Sequence, residues 1–317
     1  RISREIPLSE FGRLAPMQPS ATEPFWTLSQ WHCVESLSPD DRTLFGKTEA
    51  IWRNPYQALR ISLDGDGRPQ ADMTIDSLAV YNHDPVSYET MARKRPHFLL
   101  GHPFYPDRNG VRRYGGARDK QTVQDDSTVP DLDTFSKLVL SMTLTLKEAE
   151  DLRHEYAGDT PGNRRRHYNR VPFQLWFRVY CRDPEAASYG RFFWLGTRVY
   201  DSELPYERDL AYRHNQIESD GNATFAYKIS YQSLFGDRYR DVLQRFLAGE
   251  PTDVTIDVLR QARSALRAIR ERKESFLDAE ETLAGFTLSS FNIGWEPASP
   301  FRGTMRIRDL SLRGRRK

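Results

Sequence analysis

The run Phe173-Gln174-Leu175-Trp176-Phe177-Arg178-Val179-Tyr180 alternates large apolar side chains with polar or amphipathic ones. Successive side chains of a strand point to opposite faces, so a period of two reads as β-structure. Phe173, Leu175, Phe177 and Val179 make one face; Gln174, Trp176, Arg178 and Tyr180 make the other. The period recurs in both directions along the chain. Leu138, Leu140, Met142, Leu144 and Leu146 alternate with Ser141, Thr143 and Thr145. Phe193, Leu195 and Val199 alternate with Trp194, Arg198 and Tyr200, and Phe225, Tyr227, Ile229 and Tyr231 form a further row. Phe291 and Ile293 alternate with Ser290, Asn292 and Gly294. Met305, Ile307, Leu310 and Leu312 predict a closing strand with a bulge near Arg308 and Asp309. Trp26 to Leu37, Ala58 to Leu63 and Met73 to Tyr81 are earlier strand candidates.

Long polar connections separate these rows, at about 101–133, 157–170 and 206–222. Loops this long within a compact domain are usually functional or mobile. A helix is marked at Val258 to Lys273, where Leu259, Ala262, Leu266 and Ile269 form an apolar stripe. Arg260, Arg263, Arg267, Arg270 and Glu271 fall largely outside that stripe. A shorter helix, about Tyr239 to Ala248, would end at Gly249. Strands, two helices, then two final strands fit an all-β sandwich with a short helical insertion at about 237–275. No break in composition calls for a second domain, so one domain is expected over 1–317.

Apolar residues make up 38% of the 317 positions and aromatic ones 12%, so the core is expected to be built of large rings. Forty-six Lys and Arg oppose forty-four Asp and Glu, a net charge of +2. Without an overall basic excess, nucleic acid is a poor expectation for a partner. No apolar run approaches the roughly 20 residues of a membrane span. No leader peptide is visible at Arg1. A cytoplasmic protein and a mature form that has lost its leader both stay open, and a secreted or periplasmic place is favoured in the second case. Cys33 and Cys181 are too few for a disulfide framework or a Cys-rich zinc site. One disulfide between strands and two buried thiols fit equally well. The P-loop, the dinucleotide fingerprint and the Gly-x-Ser-x-Gly elbow are all missing, which argues against kinases, Rossmann dehydrogenases and ordinary α/β hydrolases.

The outward rows are the informative feature. A solvated sheet face normally carries Thr, Ser, Lys and Glu. Here one row reads Gln174, Trp176, Arg178, Tyr180 and another Trp194, Arg198, Tyr200. Such a face suits a ligand with flat apolar surfaces and many hydroxyls, which describes a sugar ring: CH faces lie on Trp and Tyr, and hydroxyls pair with amides and guanidinium forks. The competing reading is that loops or the amphipathic helix cover the face and the rings are core. A second signal is Phe291-Asn292-Ile293-Gly294-Trp295-Glu296-Pro297. If Phe291 and Ile293 point inward, Asn292 and Glu296 share the outward face. A carboxyl beside aromatics there could have a raised pKa and serve as an acid. Glycoside hydrolysis needs a second carboxyl. Candidates are Glu35, at the end of a Trp31–Glu35 strand, and Asp201, at the end of the Trp194 strand, although each is more often an ordinary strand-end charge.

The segment Ile293-Gly294-Trp295-Glu296-Pro297, the turn at Arg302-Gly303 and the strand Met305 to Leu312 resemble the C-terminal end of family 12 glycoside hydrolases. The resemblance covers under a tenth of the chain well. It implies a jelly-roll (concanavalin-like) antiparallel β-sandwich and a Gly-x-Glu acid/base at Glu296. That family's nucleophile lies in a Glu-x-Met-x-Trp strand, and the nearest match here, Gln174-Leu175-Trp176, has an amide where the carboxylate belongs. More broadly, the chain is similar to jelly-roll carbohydrate-binding modules, and in its Gln, Arg, Tyr and His32 to jelly-roll polysaccharide lyases.

The expectation is therefore a poly- or oligosaccharide bound in an aromatic and Arg-lined groove. Trp176, Trp194, Tyr180 and Tyr200 would be the platform, with Gln174, Arg178, Arg198 and Asn292 holding polar groups. Hydrolysis with Glu296 as acid/base is the leading version; a non-catalytic lectin-like protein and a lyase on an acidic glycan are the alternatives. No cofactor is implied. Asp64-Gly65-Asp66-Gly67 has a calcium reading, but without EF-hand spacing or a distal Glu a hairpin turn is favoured. Pro96-His97 and Gly101-His102-Pro103 lack metal-ligand spacing, so no metal site is expected there. Arg164-Arg165-Arg166-His167 reads as a solvated loop, and Asn222-Ala223-Thr224 is a glycosylation sequon if the host glycosylates.

Overall fold

The computed structural model describes residues 27–35, 37, 42–45, 49–86, 88–91, 95–103, 129–156, 170–202, 208–217, 223–272 and 282–317. The chain forms two seven-stranded sheets. The first contains β1 (Thr27–Trp31), β6 (His97–Pro103), β13 (Phe286–Trp295), β8 (Phe173–Cys181), β9 (Phe192–Tyr200), β11 (Ala223–Lys228) and β10 (Leu210–Ile217), in that order. The second runs β12 (Thr252–Asp257), β7 (Phe135–Asp151), β14 (Phe301–Arg316), β5 (Pro69–Asp76), β4 (Gln57–Leu63), β3 (Glu49–Arg53) and β2 (Arg42–Phe45). Neighbours are antiparallel except β9 and β11, which pair in parallel. The fold is an all-β jelly-roll sandwich.

One core cluster joins the inner faces of both sheets. Phe173, Leu175, Phe177, Val179, Phe291 and Ile293 come from the first sheet and Met73, Leu140, Met142, Leu144, Met305 and Ile307 from the second. Alternation in sequence thus becomes burial on one face, as the period of two requires. Large rings fill the space at the centre. The Trp295 indole meets Phe173 edge-on at 4.9 Å and lies 5.4 Å from Phe301, while its Nε1 donates to the Met73 carbonyl at 2.9 Å. The closing strand bulges between Arg308 and Ser311, where Asp309 takes a φ of +52°.

Several expectations need correction. The helical insertion at about 237–275 is broken by β12, an edge strand paired with β7. Its helices are α3 (Tyr231–Phe235), α4 (Tyr239–Leu247) and α5 (Val258–Glu271). Val254 and Ile256 alternate with Asp253 and Thr255, too short a pattern to stand out beside two helices. The Met73 to Tyr81 strand stops at Asp76, whose side chain accepts from the Ala79 N–H at 2.9 Å and caps a helix, α1 (Ser77–His83). The helix α2 (Tyr88–Met91) follows. The Trp26 to Leu37 strand is confined to Thr27–Trp31; His32, at φ +55°, breaks it. Asp64 to Gly67 is the hairpin turn between β4 and β5: Asp64 accepts from the N–H groups of Asp66 and Arg68, and the Arg68 guanidinium reaches both carboxylates. No disulfide joins Cys33 and Cys181. The Cys33 thiol meets Gln57 and His97, and Cys181 is buried in the core. The Arg164 to His167 run, Asn222 and most of the expected connections at about 101–133 and 157–170 lie outside the described residues, whereas the one expected at about 206–222 contains a strand, since Leu210–Ile217 form β10 and pair with β11. No helix among the described residues is long and apolar enough to cross a membrane.

Candidate functional site

The outer face of the first sheet is built by register. One row runs Gly101, Asn292, Trp176, Gly196, Lys228 across β6, β13, β8, β9 and β11. The next rows run Leu99, Gly294, Gln174, Arg198 on one side and Ser290, Arg178, Trp194, Ala226, Tyr212 on the other. Gln174, Trp176, Arg178, Trp194, Arg198 and Asn292, expected on one face, are therefore neighbours on it. The glycines shape it. A Cβ on Gly196 would sit 2.6 Å from the Trp176 ring and 2.0 Å from the Leu175 carbonyl oxygen, so the indole lies directly on the bare backbone of β9. A Cβ on Gly294 would meet the Phe98 carbonyl oxygen at 2.1 Å.

The rings are less open than expected. Trp176 is 8% exposed and Tyr180 is fully buried. Tyr200 is not on this face: the β8–β9 register shifts between Phe173 and Gln174, which turns Tyr200 inward opposite Phe173. It packs 5.8 Å from Trp295 and 6.0 Å from Phe301. Trp194 is half-buried and meets Phe192 edge-on at 5.7 Å; the Arg178 guanidinium lies 3.8 Å over that same Phe192 ring. Among the described residues, Asn292 Oδ1, an acceptor, and Trp194 Nε1, a donor, are buried on this face without a hydrogen-bond partner. They lie on either side of the Trp176–Arg178 stretch of β8.

Glu296 follows β13 at the end of this face, where its N–H donates to the Pro172 carbonyl. Its buried carboxylate is 3.1 Å from Arg95 and 3.3 Å from His97, and Gln174 also bonds to it. Burial alone would push this carboxyl upward. The imidazole, the guanidinium and the amide together outweigh that and hold it at about 2. The expectation of a raised pKa is thus overturned: with these partners Glu296 is an anion at neutral pH and has no proton to donate. Asp201 is buried and tied to Arg198 Nη1 at 2.6 Å. It lies beyond the end of β9, two strands from Glu296, on the order of 10 Å by inter-strand spacing. Glu35 is exposed in a bend after β1, not on a strand, and its carbonyl accepts from Asn54 and Gln57.

The structure adds residues the sequence reading did not single out. Arg95 and His97 embrace Glu296. The Tyr212 hydroxyl, raised by burial, lies in the field of Arg198, Glu296, Arg95 and Arg170, so those groups gather at one end of the face. Gly196 could have been found: an isolated glycine inside the Phe192–Tyr200 strand signals close approach. His97 and Arg95 carried no such signal, because their role depends on the pairing of β6 with β13.

No protein family and no curated protein matches this chain. Among solved structures, a native family 12 xyloglucanase from Bacillus licheniformis is 9% identical with a TM-score of 0.39, covering 90% of this chain and 100% of its own. A family 11 xylanase from Neocallimastix patriciarum is 10% identical with a TM-score of 0.35, covering 85% and 96%. An endoglucanase from Rhodothermus marinus is 9% identical with a TM-score of 0.34, covering 93% and 100%.

Proposed function

We propose that the outer face of the first sheet binds a poly- or oligosaccharide. The observation that carries this is the pair of buried, unpartnered polar atoms, Asn292 Oδ1 and Trp194 Nε1, beside the Trp176 indole. A buried polar group without a partner costs free energy. A sugar hydroxyl can both donate to the amide oxygen and accept from the indole N–H, while a ring CH face covers the indole. Arg178 and Gln174 supply further polar contacts from the same strand.

Binding without cleavage is the version the site supports best. Glu296, held at about 2, is unsuited to protonating a leaving group, and Gln174 beside it cannot be a nucleophile. Cleavage is favoured by one observation, the presence of Glu296 and Asp201 at the same end of the face. It would require Asp201 to donate the proton against its ion pair with Arg198.

The test is a thermal-shift screen of neutral and acidic glycans on wild type, Trp176→Ala and Glu296→Gln, with product analysis of every hit. A glycan that raises the melting temperature of wild type but not of Trp176→Ala, without products, is the expected result. Products formed by wild type and lost in Glu296→Gln would establish hydrolysis instead. No shift with any glycan refutes the reading and leaves the rings as covered core.

A further inference from the structure

Asn292 and Trp194 face outward from β13 and β9, with β8 between them. Asn292 is level with Trp176 and Trp194 with Arg178, so the pair stands diagonally over β8, two inter-strand spacings or about 10 Å apart across the strands. Both side chains are half-buried, so each reaches the surface of the face. Their unpartnered atoms are one-way groups: Asn292 Oδ1 can only accept and Trp194 Nε1 can only donate.

A hydroxyl is an imperfect match for such atoms. It carries a donor and an acceptor on one oxygen, so after pairing with a one-way group it still needs a further partner. In a covered site that unmet half costs free energy. A secondary amide has no unmet half here. Its N–H is one donor and its C=O an acceptor, and in the planar trans form the two point in opposite directions. With a hydrogen bond at each end it reaches about 8 Å, against about 6 Å for a single hydroxyl. Among sugar substituents, the acetamido group supplies this arrangement.

We propose that the glycan bound by this face carries N-acetylated amino sugars. One acetamido group lies across β8, its N–H donating to Asn292 Oδ1 and its C=O accepting from Trp194 Nε1. Its methyl rests against the Trp176 indole, which stands in the same row as Asn292 on the bare backbone of Gly196. The acetyl group matters. A free amine would bring a cation to this face, where the carboxylates of Glu296 and Asp201 are already paired with Arg95 and Arg198. The inference rests on the reading of this face as a glycan site.

The test is calorimetric titration of the full chain with three oligomers of equal length and linkage, built from N-acetylglucosamine, glucose and glucosamine. Wild type is expected to bind the N-acetylglucosamine oligomer about tenfold or more tightly than the glucose oligomer, the worth of about one hydrogen bond in a covered site. Trp194→Phe keeps a ring and removes the N–H; Asn292→Val suits a strand and removes the acceptor. Each is expected to lose most of that preference, while Trp176→Ala weakens both oligomers together. The wild-type series decides by itself if a variant fails to fold. A glucose oligomer bound as tightly overturns the inference and leaves the glycan site standing. A glucosamine oligomer bound as tightly assigns the preference to charge and overturns it too. A preference that survives in both Trp194→Phe and Asn292→Val overturns the assignment to these two atoms. If wild type binds none of the three, the inference fails; a hit with another glycan in the screen above then preserves the site, and no hit refutes both.

Discussion

Replacing Glu296 by Gln removes a buried charge while nearly preserving shape, and two independent routes give its magnitude. The carboxyl drops from an ordinary 4.5 to about 2 in the folded chain. That difference is worth roughly 3 kcal/mol of folding stability at pH 7. Removing one partner of a buried ion pair costs about 3–5 kcal/mol, because the other charges are left uncompensated. Here the charge left uncompensated is the Arg95 guanidinium. Glu296→Gln should therefore be about 3 kcal/mol less stable than wild type in urea unfolding at pH 7. The sign with pH follows from the depressed value. The contribution is complete above the unfolded value near 4.5 and disappears as pH falls toward about 2. Of the wild-type advantage, roughly 2 kcal/mol should be gone at pH 3, so the two unfolding curves converge on acidification. Equal stability at pH 7, or a gap that stays constant down to pH 3, would refute the account of this ion cluster.

Gly196→Ala places a methyl 2.0 Å from a backbone oxygen and against the Trp176 ring, so it should cost about 3 kcal/mol and alter the near-ultraviolet dichroism. Gly65→Ala, with nothing within 4 Å, is the control and should stay within about 0.5 kcal/mol by chemical unfolding. Asp257 accepts from the Arg260 N–H at 3.0 Å at the start of α5, so Asp257→Ala should lose about 1 kcal/mol in the same assay. Burial pushes the Cys33 thiol up to about 12, so in the native protein at pH 8 iodoacetamide should modify it at least about a hundredfold more slowly than an unhindered cysteine. Rapid native-state alkylation of Cys33 would count against its buried contacts with Gln57 and His97.

How far the sequence reads can be traced residue by residue. Phe173, Leu175, Phe177 and Val179 pointed inward as their period required, and the alternation of Asn292 with Ile293 put Asn292 on the same face as Trp176. These assignments held because side-chain direction along a strand is a local property of the backbone. Tyr200 broke the pattern because a register shift between β8 and β9 is set by the pairing of two strands. The β12 strand was lost between two helices because four alternating residues are a weak signal, strengthened only by its partner β7.

The site divides the same way. Sequence alone determined that the chain is β-rich, which residues line the outer face of β8 and, as far as Arg198, of β9, and that α5 carries a row of arginines outside its apolar stripe. Only the tertiary structure decided the state of Glu296. The amino-acid type and its place after a strand are compatible with a raised or a lowered pKa. The outcome depends on β6 and β8 bringing Arg95, His97 and Gln174, each more than a hundred residues away in the chain, to the carboxylate. Electrostatic energy depends on distance in space and on burial, and neither is encoded in the local pattern.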